Sequence, residues 1–271
     1  MTITEILGFA AATLIGVSLG LIGGGGSILT VPVLVYLLGV DPVLSTAYSL
    51  FIVGSTSLVG AIQYMQKKLV NYKAAIVFAI PSFTTVFLTR KFLVPAIPDP
   101  IFNIGSFEIS KNIGIMIFFA LIMLAASYSM INDKKKSTDE KEDENAPLKF
   151  NFPMIALEGG VVGVLTGIVG AGGGFLIIPA LVILAKLPMK MAVGSSLLII
   201  AAKSLIGFLG DLGTQEIEWD FLMLFTSLSI LGIFVGTWLS KFIPGNKLKK
   251  GFGWFVVIMA IYIIVNEIFL K

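Results

Sequence analysis

Apolar residues run through this chain in long blocks, without the alternation of a half-buried strand or the one-sided stripe of a surface helix. The blocks lie at approximately 4–22, 28–39, 43–64, 74–93, 112–131, 152–171, 175–187, 190–210, 221–240 and 251–270. About 20 apolar residues carry a helix across the hydrocarbon core of a bilayer. Backbone in that core must satisfy its own hydrogen bonds, which a helix does. The pattern therefore predicts an all-α polytopic membrane protein. The clearest interruption is 132–150, NDKKKSTDEKEDENAPLKF, dense in charge and poor in large apolar residues, hence a solvated linker. It divides the chain into a first membrane repeat at 1–131, a charged cytoplasmic linker at 132–150 and a second membrane repeat at 151–271.

The halves resemble each other. A shift of 147 residues lays Gly16–Tyr64 on Gly163–Asp211 without a gap, with 17 identities in 49 positions. The coincidences include Gly20/Gly167, Gly23/Gly170, Gly25/Gly172, Gly26/Gly173, Pro32/Pro179, Ser49/Ser196, Ser57/Ser204 and Gly60/Gly207. Internal repeats flanking a midplane site are a common plan among membrane carriers.

Lysine distribution gives the orientation, because cytoplasmic loops hold the excess of Lys and Arg. If the Gly-broken segments 4–39 and 152–187 each crossed once, the basic residues would divide evenly between the two sides. If each instead enters and returns to the side it left, loops 65–73, 132–150, 186–190 and 241–250 share a side with 14 Lys, against four basic residues on the other. The second arrangement is the expectation. It makes the fold two inverted repeats, each a Gly-broken helix pair plus three spanning helices, with both termini outside.

Composition narrows the chemistry. Charged residues are 13% of the chain, about half the share of a soluble domain. There is no Cys and no His, which excludes thiol catalysis, disulfides, iron–sulfur clusters and ordinary zinc sites. No catalytic residue, metal or cofactor is expected. The net charge of +3 reads as a loop bias and not as a nucleic-acid footprint. No Lys or Arg precedes Lys67, so the N-terminal segment is expected to be no cleaved signal peptide.

The local feature with most chemistry is Gly23-Gly24-Gly25-Gly26-Ser27, echoed by Gly170-Ala171-Gly172-Gly173-Gly174. Each glycine costs a helix about 1 kcal/mol, so both helices should break there, with short helices starting near Ser27 and Phe175. Free N–H groups at those starts, with the positive end of the dipole, suit an anion. Small residues also serve close helix packing, and Pro32 and Pro179 suit either a hinge or packing. Lys203 lies deep in segment 190–210, where a charge is costly and a functional candidate. Its partner is either Glu158, an anionic substrate, or both in turn. Ser49 and Ser196 recur in the repeat close to the breaks, whereas the other hydroxyls are expected to bond their own helix. Arg90 and Lys91 stand at a helix end and are expected to snorkel to the surface, and the apolar part of loop 94–111 is expected on the outer face.

With GLIGGGGSILTVPVLV…AYSLFI and GIVGAGGGFLIIPALV…GSSLLI, the charged central segment and WLSKFIP before the last apolar block, the chain resembles the sulfite exporter TauE/SafE family over essentially its whole length. The resemblance implies a secondary transporter of small sulfur-containing or organic anions, sulfite- or sulfonate-like, in the cytoplasmic membrane. It implies site residues at glycines 23–26 and 170–174 with Ser49 and Ser196. The partners expected are a small anionic substrate and the lipid bilayer, with a coupling ion (H+ or Na+) and a homodimer compatible with that plan. Alternatives are an anion channel, a non-transporting membrane subunit, or an intramembrane hydrolase built on Lys203 and Ser196, which are seven residues apart and able to share a helix face.

Overall fold

The computed structural model describes residues 3–104, 107–132, 152–183, 185, 187–213, 215–240, 242 and 245–270. The linker 133–150 therefore lies outside the described residues. Helix accounts for nearly all of the rest. In chain order the elements are α1 (Ile3–Ile22), a short composite helix α2 (Gly24–Leu29, Thr30–Pro32 and Val33–Leu37) and the long α3 (Pro42–Gln66). Next come α4 (Tyr72–Ala96) and, beyond a small hairpin, α5 (Lys111–Ile131). The second half brings α6 (Phe152–Val169), α7 (Gly174–Ile183), α8 (Met189–Leu209), α9 (Trp219–Leu239) and α10 (Gly245–Val265). By length and apolarity, α3, α4, α5, α8 and α9 each suffice to cross a membrane, and α1, α2, α6 and α10 carry shorter apolar stretches. Large apolar side chains such as Leu14, Leu157, Leu231 and Ile258 stand exposed, as a lipid-facing surface requires.

Two details differ from the sequence reading. Block 251–270 begins earlier, as a helix from Gly245. The stretch expected as a plain outer loop is partly ordered: α4 continues to Ala96, and Phe102–Ile104 pairs antiparallel with Phe107–Ile109. Neither was visible in periodicity, because three-residue strands carry too few positions to show an alternation.

Helix ends follow local chemistry. Asp41 caps α3, its carboxylate accepting from the amides of Val43 and Leu44 at 2.8 and 3.2 Å, with Pro42 in the first turn. Asn71 caps α4 by accepting from Ala74 N–H at 3.0 Å. Such caps satisfy amides that the helix leaves unpaired.

Helix pairing is reciprocal between the halves. Shifted by 147 residues, α1, α3 and α4 fall on α6, α8 and α9, and α5 and α10 are the last long helices of their halves. The main seams join α1 to α9 and α4 to α6, α3 to α8, α5 to α10, and α4 to α8 as α3 to α9. Every seam thus has its mate or is its own mate. Small residues make the closest ones. Gly16 and Gly20 of α1 lie on the backbone of Ser229, Gly232 and Gly236 in α9. Gly159, Gly163 and Gly167 of α6 lie on Phe78, Ser82 and Val86 of α4. Backbones approach this closely only where no side chain intervenes. In the α3–α8 seam Gly54 meets Leu205, Gly60 meets Leu197, and Gly194 meets Tyr64. Residue numbers rise on one helix as they fall on the other, so these two repeat-equivalent helices run antiparallel.

Candidate functional site

The glycine breaks form as the sequence predicts, slightly displaced. After Ile22, Gly23 takes φ 71°. A 3-10 turn then starts at Gly24, earlier than the Ser27 expected, and runs Gly24–Leu29. Helix α2 continues through Thr30–Pro32 and ends as a π-helical turn, Val33–Leu37. It returns along α1, and Leu38 packs on Gly8 near the start of that helix. In the second break Gly170, Gly172 and Gly173 have φ 73°, 66° and 68°, a conformation that side chains resist, and α7 starts at Gly174.

The two breaks meet. A Cβ placed on Gly24 would overlap the Cα of Gly174, and the reverse also holds. Gly23 faces α8: a Cβ there would lie 3.0 Å from Val193 Cγ1 and 3.4 Å from Ser196 Oγ. Gly170 faces α3 and rests on the backbone of Thr46, the repeat equivalent of Val193. Gly172 lies against Val53 and Ser27, and Gly26 against Ser18 and Leu19; Gly25 stands within the 3-10 turn. The chain therefore crosses itself at its centre through glycine on both sides. Not all the amides expected to be free at the start of the second short helix are so: Leu176 and Ile177 N–H both donate to Gly173 O, at 3.0 and 3.1 Å.

Lys203 is fully buried and points at the second break, its Nζ 2.8 Å from where a Cβ of Gly173 would stand. Nζ donates to Thr166 Oγ1 at 2.7 Å, whose hydroxyl donates to Val162 O at 2.7 Å. Of the partners left open for Lys203, Glu158 is not in contact with it. Glu158 is half-buried on α6, eight residues before Thr166, about 12 Å along the axis. Among the described residues no carboxylate lies within ion-pair distance of Lys203. The hydrolase pairing does not form either. Ser196 Oγ donates to Val193 O at 2.8 Å while Lys203 turns to Thr166. Ser27 Oγ likewise bonds locally, to Gly24 O at 2.7 Å.

Ser49 behaves otherwise. Its hydroxyl is buried without a hydrogen-bond partner, as are those of Thr56, Ser57 and Ser204. The expectation that these other hydroxyls would bond their own helices holds for Thr46, which donates to Val43 O at 2.7 Å, and fails for Thr56, Ser57 and Ser204. Unpaired buried hydroxyls are costly, and α3 and α8 hold several of them.

Arg90 corrects the sequence reading most. It does not snorkel; it is fully buried, held in a π-helical turn of α4, Thr89–Leu93. Its Nε donates to both carboxylate oxygens of Asp211, at 2.9 and 2.7 Å, and Nη2 stands 2.7 Å from Asp211 Oδ1. Nη1 donates to Thr46 Oγ1 at 2.8 Å and to Gly167 O at 3.2 Å. Burial pushes the Asp211 carboxyl above its ordinary range, with the Arg90 charge opposing. One signal could have exposed this residue: Arg90 is the sole Arg among 19 basic residues, and Arg is the residue for planar, bidentate pairing.

A helical body with lipid-facing apolar helices, reciprocal seams and broken helices meeting at its centre defines a multi-pass membrane transporter. The model of the family described as Sulfite exporter TauE/SafE matches residues 8–263, and the chain belongs to that family. A probable membrane transporter protein of Xylella fastidiosa is 30% identical over 269 residues, covering 97% of each chain. The probable membrane transporter protein YunE of Bacillus subtilis is 30% identical over 228 residues, covering 80% of each. No solved structure matches the chain.

Proposed function

We infer that this chain is a secondary carrier of small anions, sulfite- or sulfonate-like, in the cytoplasmic membrane, and that the anion passes the crossing of the two glycine breaks beside Lys203. The observation that carries the reading is Lys203 itself: a fully buried cation aimed at a helix break, bonded to a hydroxyl and, among the described residues, to no carboxylate. A cation so placed is stabilised by an anion that arrives and leaves. Unpartnered Ser49, Thr56 and Ser204 supply further donors on α3 and α8. The family description supports sulfite or a chemical relative as the cargo.

Inversion of the halves fits this mechanism. The antiparallel run of equivalent helices α3 and α8 and the return of α2 along α1 agree with the lysine bias. In the present conformation Gly24 and Gly174 touch, so passage requires the breaks to part, first toward one side and then the other. Rocking of one repeat against its inverted mate does this around a fixed site. The test is counterflow in liposomes holding the purified chain, loaded with unlabelled sulfite and offered labelled sulfite, with sulfoacetate and thiosulfate in parallel. Transient accumulation of label is expected. Flux that only follows the gradient would identify a channel, and no flux of any of the three would remove the carrier reading.

A further inference from the structure

We propose that Arg90 is a second cation of the anion route, and that Asp211 is its resident counter-ion, which an incoming oxyanion displaces. The inference rests on the anion-carrier reading above.

The two buried cations among the described residues converge on one turn of one helix. Lys203 Nζ donates to Thr166 Oγ1 and Arg90 Nη1 donates to Gly167 O. These are neighbouring residues in the last turn of α6, which ends at Val169, immediately before the break at Gly170. The exposed carbonyls of a helix C-terminus draw cations. Arg90 also reaches the break through Thr46, which accepts from Nη1 and whose backbone lies against Gly170. Of the two, Arg90 has a carboxylate partner among the described residues, Asp211, whereas Lys203 bonds a hydroxyl. One further negative charge would complete the balance.

The repeat shows that packing does not need this charge. Under the 147-residue shift, Lys203 corresponds to Thr56 and Arg90 to Thr237. The seams agree: Gly167 packs on Val86 and Thr89, and Gly20 on their equivalents Ile233 and Gly236, and on Thr237. At the mate of the Arg90 site, Thr237 Oγ1 donates to Gln63 Oε1 at 2.7 Å. The mate corner, Thr237 of α9 on Gln63 of α3, is thus built without ions. Charge gathered only at the second break points to a ligand.

The chemistry names the ligand class. Arg90 Nε bonds both oxygens of one carboxylate while Nη2, 2.7 Å from one of them, makes no hydrogen bond; a guanidinium edge of this kind can take two oxygens of a sulfite, sulfonate or carboxylate group. A spherical halide cannot use both prongs. Exchange of Asp211 for the substrate leaves Arg90 paired at every stage and frees Asp211 toward the loop that follows α8.

The experiment measures anion affinity and thermal unfolding of the detergent-purified full chain with sulfite, sulfoacetate and thiosulfate, and with chloride at matched ionic strength. Variants are Asp211→Asn and the double Arg90→Gln/Asp211→Asn. With its resident competitor gone, Asp211→Asn should bind sulfite about tenfold tighter than the native chain, and sulfite should raise its unfolding temperature more. The double variant, a neutral corner like that of Thr237 and Gln63, should fold and bind sulfite about tenfold more weakly. Chloride affinity should move in neither. Native affinity in the double variant overturns the proposal, as does unchanged or weaker sulfite binding by a folded Asp211→Asn protein. If Asp211→Asn does not fold, the double variant decides alone. Failure of the native chain to bind any of the three oxyanions overturns the carrier reading and this inference with it.

Discussion

Replacing Lys203 by Met separates a pathway cation from a structural one. Met keeps the length and flexibility of the stem, so packing against Gly173, Thr166 and Val162 changes little. What is lost is the ammonium and its hydrogen bond to Thr166 Oγ1 at 2.7 Å. That bond contributes about 1.5–3 kcal/mol as a charged one. Against it stands the desolvation of a fully buried ammonium, several kcal/mol per ion. Thr166 keeps its own bond to Val162 O, and no carboxylate is stranded. The two terms offset, and Lys203→Met should unfold at the native temperature or above it. Anion binding should respond differently. Losing one charge-assisted hydrogen bond to the substrate weakens binding by about 1.5–3 kcal/mol, roughly ten- to hundredfold in Kd. The assay is sulfite titration together with thermal unfolding of the same preparations. Glu158→Gln is the control and should leave sulfite affinity unchanged, since Glu158 stands about 12 Å along α6 from Thr166. A Lys203→Met protein with native affinity and a markedly lower unfolding temperature would refute the reasoning and make Lys203 a packing device.

Three further outcomes follow from the geometry. Gly24→Val places a side chain where Gly174 and Ile200 already stand; overpacking of this kind costs about 1–3 kcal/mol, and counterflow should be lost while membrane insertion persists. Gly232→Leu drives a side chain into the backbone of Thr13 and Val17 and should part α1 from α9, lowering the unfolding temperature more than Gly24→Val does. Single cysteines in this Cys-free chain should be labelled by an external thiol reagent at 211–220 and shielded at 65–73, 132–150 and 241–250; the opposite pattern would reverse the topology.

Membrane class, helical fold and the places where helices break were legible along the chain because each depends on local composition. A run of apolar residues decides for lipid wherever it lies, and Gly23–Gly26 weakens a helix whatever surrounds it. The halves could be matched because their glycines and Pro32/Pro179 coincide at one shift. The Thr89–Leu93 π-turn and the short hairpin left no periodic trace. Contact partners were not legible at all. Nothing near Arg90 in sequence announces Asp211, 121 residues on, and an Arg beside a helix end reads as a snorkelling residue until the opposite half covers it. Lys203 and Glu158 look like a pair by charge and depth, yet α6 presents Thr166 to the lysine. Glycine signals a close approach without saying to what; the structure answers that Gly24 and Gly174 approach each other. Sequence fixes what each segment can be, because helix propensity and lipid solvation act over a few turns. Only tertiary packing decides which buried groups meet, because their partners lie far along the chain, 121 positions for Arg90 and Asp211 and 37 for Lys203 and Thr166.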